Sequence, residues 1–312
     1  MKFRPNLSTA KLLAGAIKHA AALLVLLACL TFTGCAASGT RTEAWPDGPT
    51  GGTVVRTEHY ALHTTVTDTE FQAKLAKTME ATHKLFEKLA PIDGESASTE
   101  DEPFVAYIFQ RRDDFDAHTN ATAGPAASTL LQIQYGGYAL NDTFVTFRHG
   151  TAYTLSVCRH EGWHQYVDVH FKQRPPPFLE EGLATLFERG FEQDNLRFPR
   201  RDGKRHLHLV EAAKRKRLWS LGQILEMNAG HVIGGGGRQI DTFYAQAWAL
   251  ARMLVSDPKY SDRLENLLSV YARGEAVGRS RTDMFFNTLG VSREELADDY
   301  AAYVKEMTGV AQ

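Results

Sequence analysis

Apolar and polar residues alternate from Thr53 to Val66, with Val55, Thr57, His59, Ala61 and His63 set against Val54, Tyr60 and Leu62, which is the period of a strand. From Glu70 to Leu89 the period changes: Phe71, Leu75, Met79, His83, Phe86 and Leu89 recur at helical spacing, and Ala90-Pro91 closes the run. Phe104–Phe109 is a short apolar run suited to a buried strand, and Leu130–Tyr138 and Thr143–Arg148 read as two more strands joined by a turn at Asn141-Asp142. Beyond residue 150 the pattern is helical. It predicts helices over Tyr153–Phe171, Glu181–Arg189, Val210–Leu218, Ser220–Met227, Thr242–Val255, Ser261–Tyr271, Arg281–Leu289 and Ser292–Glu306. Strands first and helices afterwards is an α+β order.

The N-terminus changes how much of the chain belongs to the folded body. Lys2, Arg4, Lys11 and Lys18 precede an apolar, charge-free stretch from Ala20 to Phe32, the layout of a secretory signal and too short for a bilayer that needs about 20 residues. Phe32-Thr33-Gly34-Cys35 resembles a bacterial lipobox, with Phe32 where that pattern usually has Leu. The resemblance implies cleavage before Cys35 and a lipid anchor on it, placing the protein in the bacterial cell envelope; ordinary cleavage at Ala36-Ala37-Ser38 is the alternative. The expected division is a signal at 1–34, a flexible tether at 35–52, an N-terminal α/β lobe at 53–150 and a helical lobe at 151–312.

Without residues 1–34 the chain carries 31 basic and 37 acidic residues, a balance that disfavours nucleic acid. Of the three cysteines only Cys158 then remains as a thiol, so no internal disulfide is expected.

The candidate chemistry is local. His160-Glu161-Gly162-Trp163-His164 is a His-Glu-x-x-His segment inside a helical pattern. Four residues along a helix bring a side chain to within roughly 40° of its first direction and about 6 Å along the axis, so both imidazoles can reach one ion. Glu161 projects at another angle and is placed to act on water as a general base. A third ligand is needed, and Pro175-Pro176-Pro177-Phe178-Leu179-Glu180-Glu181-Gly182-Leu183-Ala184 starts another helix with two adjacent carboxylates, Glu180 and Glu181, both within reach. Glu188, further along that helix, either faces solvent or orients a ligand imidazole.

At these residues the chain resembles the gluzincin metallopeptidases, in the branch whose second motif is an aromatic or apolar residue, Leu, any residue, Glu, Gly, a small or apolar residue and Ala. It is also similar to bacterial domains of unknown function with this core. The resemblance implies a zincin-like fold: an N-terminal mixed sheet with a helix, an active-site helix, then a mainly helical C-terminal lobe. It implies one Zn2+ on His160, His164 and Glu181, with Glu181 preferred because it directly precedes Gly182. It implies hydrolysis of a peptide or protein substrate, extended along an edge strand near Thr143–Arg148. A Tyr or His from a later helix would stabilise the oxyanion. Tyr244 is the first choice, packing beside Trp248 being its other role, and His231 the second. A zincin-fold lipoprotein that binds without turnover is the competing function.

Several other features carry less. Cys158, Trp163 and Tyr166 are expected to pack. The glycine-rich 231–238 segment lacks a phosphate-loop ending and reads as a loop. The basic stretch Arg197–Arg217 reads as a solvated helix face and loop in preference to a nucleic-acid or lipid surface, with adventitious metal on His206 and His208 a minor alternative.

Overall fold

The structure, a computed structural model, describes residues 39–91, 102–189, 203–227, 237–275, 278 and 280–310. The fold is α+β. Six strands form one mixed sheet: β1 (Arg41–Ala44), β2 (Thr53–Arg56), β3 (Tyr60–Thr64), β4 (Phe104–Phe109), β5 (Gly137–Leu140) and β6 (Thr143–Phe147), in the order β1-β2-β3-β4-β6-β5. β1, β2 and β3 pair antiparallel, β4 is parallel to both β3 and β6, and β5 folds back antiparallel on β6. Asn141 and Asp142 turn that last hairpin with φ of 51° and 58°, the left-handed backbone that these two residue types tolerate.

Three expectations change. The predicted tether contributes β1, paired with β2 from Arg41↔Arg56 to Ala44↔Thr53, and Trp45 packs its ring on His63 and Tyr107. Thr143–Arg148 is not the edge: β6 lies between β4 and β5, so the edge on that side is Gly137–Leu140. Leu130–Tyr138, predicted as a strand, begins in a helical turn at Ala127–Leu130, and only its end is extended.

The alternation along the strands sorts side chains into two layers. Ala106, Ile108 and Phe144 face α1 (Thr69–Leu89) and α3 (Thr151–His170), packing with Phe71, Leu75, Met79, Leu155 and Cys158. Phe109, Val145 and Phe147 face the other way, toward Phe115 of α2 (Arg112–Thr122). The start of α1 is fixed by Asp68, whose carboxylate accepts from the Phe71 amide at 3.0 Å and pairs with Arg148.

Beyond α3 come α4 (Pro177–Phe187), α5 (Gly203–Lys214), α6 (Leu221–Glu226), α7 (Gly237–Ser256), α8 (Ser261–Arg273), α9 (Arg281–Leu289) and α10 (Arg293–Thr308). Their shared core includes Trp163, Phe178, Leu183, Trp248, Leu267 and Phe285. From Thr40 onward the chain clusters as one compact unit, so the two expected lobes share a body. Helix α3 joins them and is buried at nearly every position from Thr154 to Val167. It has little amphipathic pattern because one side meets the sheet and another the helical core, while a third carries the polar motif.

Close helix approach explains two motif glycines. A Cβ on Gly182 would stand 2.5 Å from the Ala247 carbonyl oxygen of α7, and one on Gly162 2.9 Å from the Met79 side chain of α1. The residue after Glu181 is therefore Gly because α4 rests its backbone on α7.

Candidate metal centre

His160, His164 and Glu181 come together. Their donor atoms form a nearly equilateral triangle: His160 Nε2 to His164 Nε2 is 3.3 Å, and Glu181 Oε2 is 3.4 Å from each of those nitrogens. Among the described residues this group and two overlapping ones around His59 have the His and Glu donors to hold a metal ion. Glu181 Oε2 is buried with no hydrogen-bond partner, an arrangement that costs free energy unless a cation lies beside it.

Helix phase separates the two adjacent carboxylates. Pro176 and Pro177 start α4, which points Glu181 at the inner nitrogens and Glu180 at the outer side of His164, where Glu180 Oε1 stands 2.7 Å from His164 Nδ1. Glu188, at the end of α4, stands 3.2 Å from His160 Nδ1. Each imidazole thus faces a carboxylate at Nδ1 and turns Nε2 inward; Glu180 hydrogen-bonds His164 Nδ1, which fixes a metal-ligating tautomer, whereas Glu188 lies beside His160 Nδ1 without a well-aligned hydrogen bond.

Both outer carboxylates are backed by arginine. Arg174 Nε donates to Glu180 at 3.0 Å and also pairs with Asp168, while Arg205 Nε donates to Glu188 at 2.9 Å. The ring of Tyr244 lies under the Arg205 guanidinium at 4.7 Å and edge-on to His160 at 6.1 Å between centroids. Arg205 comes from the basic stretch read as solvated; it is a half-buried residue locked into the site.

Glu161 leaves the helix toward the sheet. A Cβ on Gly137 of β5 would stand 3.1 Å from Glu161 Cγ, so the general-base candidate lies against the true edge strand. The absence of a side chain at Gly137 makes that approach fit.

The electrostatics follow from burial and crowding. Burial pushes the Glu161 carboxyl above its ordinary value, against the pull of the two imidazoles. Burial also raises the Tyr244 hydroxyl well above 10.0, and the Glu181 charge adds to it, so it stays a donor at neutral pH. Burial opposes charge on His160, yet Glu181 and Glu188 outweigh it and hold the imidazole up at about 9. In Glu188 burial works upward, and Arg205 and His160 overcome it to bring the carboxyl down to about 2.

Other candidates do not join the site. His206 bonds the Met307 carbonyl at 3.0 Å and His208 pairs with Asp241 at 3.2 Å, so the two engage separate partners, against the minor alternative of a shared metal. His231 and most of the glycine-rich segment lie outside the described residues, as do Cys35 and the signal. Cys158 is fully buried on the sheet side with its thiol pushed up to about 12 by burial, a packing residue as expected. Among the described residues no helix is long and apolar enough to cross a membrane. The sequence reading missed Arg174 and Arg205, and it left Glu180 without the role of orienting His164. The signal in the chain was Glu180, an acid one residue before the candidate ligand Glu181, with Arg174 six residues before Glu180.

Comparison of the chain with known protein families and with curated proteins gives no match.

Proposed function

We propose that the chain is a zinc-dependent metallopeptidase of the gluzincin type, with His160, His164 and Glu181 holding one Zn2+ in a zincin-like fold. The observation that carries this reading is the 3.3–3.4 Å triangle of donor atoms. Donors about 2.0–2.1 Å from a tetrahedral zinc stand roughly 3.3–3.4 Å from one another, and two neutral imidazoles with one carboxylate are an ordinary zinc set that leaves a position open. Zinc held there supplies Lewis acidity and lowers the pKa of water.

The remaining steps belong to the chain. Water attacking a peptide carbonyl gives its proton to Glu161, whose raised carboxyl suits a base that must later return the proton to the departing nitrogen. Tyr244, protonated at neutral pH, donates a hydrogen bond to the oxyanion. An extended peptide adds to the free edge of β5 beside Gly137. The pattern of residues 1–35 supports an acyl anchor on Cys35 and a place in the bacterial envelope, which fatty-acid labelling with and without Cys35→Ser tests.

The test of activity is cleavage of a mixed peptide library by the chain and by Glu161→Gln, with bound zinc measured for both. The expected result is equal zinc at the His160–His164 centre and a fall in turnover of about 10²–10⁴-fold in the variant. Equal zinc with no cleavage by either protein supports the binding protein instead, and zinc retained by a His160→Asn/His164→Asn variant at the wild-type amount overturns the centre itself.

A further inference from the structure

We infer that His59, His83 and Glu87 form a second metal site, for a divalent transition ion of the zinc class. His59 stands in the turn between β2 and β3, and His83 and Glu87 lie one turn apart on α1, so none of the three belongs to the helices of the first centre. One donor atom from each lies within 4.8 Å of the others, and Glu58, His59 and Glu80 form an overlapping group that shares His59.

Orientation distinguishes this cluster from a chance meeting of surface charges. His59 Nδ1 stands 2.7 Å from Glu80 Oε2, while Glu80 Oε1 accepts from the His59 amide at 2.9 Å. His83 Nδ1 meets the Tyr60 hydroxyl at 3.5 Å, and its Nε2 is 3.7 Å from Glu87 Oε1. Both imidazoles therefore have an oxygen near Nδ1, which leaves Nε2 for a ligand. The two rings stack with centroids 4.2 Å apart and planes inclined by 23°, so their in-plane lone pairs run side by side, and a shared ion requires the more exposed ring, His59, to turn out of the stack. His83 is held rigidly from behind by Tyr60, Phe104 and Tyr166.

The donor set selects the ion. Two imidazoles suit zinc, nickel or copper, whereas magnesium and calcium ask for oxygen ligands throughout. Glu58 and Glu80 gather at His59, and Glu87 lies near both histidines, which makes the place attractive to a cation. The Glu87 side chain is 54% exposed, free to swing the short distance that closes the site and open to solvent for entry. Bound metal there would pin the β2–β3 turn to α1, a structural staple on the sheet's outer part.

The test is equilibrium dialysis of the full chain against Zn2+, with excess Mg2+ present. The inference expects two equivalents in wild type and one in His160→Asn/His164→Asn. It expects one in His59→Asn/Glu87→Gln, whose half-exposed and exposed positions spare the fold. Glu80→Gln should weaken the second equivalent alone by about 10–100-fold. A His59→Asn/Glu87→Gln protein that keeps every equivalent of wild type overturns the second site. A wild type with one equivalent, lost in that variant and kept in His160→Asn/His164→Asn, overturns the first centre and leaves this one standing.

Discussion

Glu180 Oε1 stands 2.7 Å from His164 Nδ1, so the acid beside Glu181 holds the outer side of an imidazole and stays out of the triangle of donor atoms that could hold an ion. Two neighbours in sequence with the same chemistry have different jobs because one helical step separates their directions by about 100°.

The difference is measurable. Glu181→Gln should abolish zinc at the first centre, while Glu180→Gln should retain it with affinity lowered about 10–100-fold, the cost of losing an outer partner. Competition with a chelator of known affinity reads both, and equal losses would contradict the assignment.

Gly137→Ala tests the contact between the edge strand and the base. The added methyl meets the Val145 carbonyl oxygen at 2.6 Å, so the β5–β6 pairing must open, and it meets Glu161 Cγ at 3.1 Å, which has to give by a few tenths of an ångström. The expected outcome is unchanged zinc with turnover reduced by less than the roughly 10²-fold that a 1 Å displacement costs. Peptide-cleavage rates beside metal content decide it.

Gly182→Ala acts on packing. With a Cβ 2.5 Å from the Ala247 carbonyl oxygen and 2.9 Å from the Ala251 methyl, α4 must move off α7, and the expected cost is about 1–3 kcal/mol. Urea unfolding followed by circular dichroism measures it, and a midpoint within error of wild type would show that the helices yield freely.

A pH experiment on chelator-treated protein reads the His160 environment. Burial disfavours its imidazolium, but Glu181 and Glu188 raise it from 6.5 to about 9. A group raised in the folded state contributes stability that is fully present below 6.5 and is lost as pH rises through about 9. The urea midpoint should fall across that window. Zinc requires the deprotonated rings, so loading near neutrality should release protons, detectable in a weakly buffered indicator solution. A midpoint that rises across the window would contradict the assigned environment.

What could be read from the chain was whatever depends on spacing within one element. The two imidazoles of α3, the carboxylate pair opening α4 and Tyr244 on α7 all sit where a local pattern put them. Strand order is not local, and β5 and β6 look alike in composition, so the edge was assigned to the wrong member of the hairpin. β1 has no apolar period and exists because β2 offers it a partner. Helix α2 was missed because it buries only Phe115 and Thr119, too few to show a stripe. Arg205 was hidden among basic residues whose burial is decided by Glu188, a partner from another helix.

Arg159 adds a property of a different kind. Its guanidinium donates to the carbonyls of Phe187 at 2.8 Å and Glu188 at 2.6 Å, so α3 is fastened to the end of α4 next to His160. The two helices that carry the candidate ligands are joined by the polypeptide itself. Stripping the ion is therefore expected to leave them in register, and the protein should cycle between loaded and stripped forms by simple exchange, without refolding.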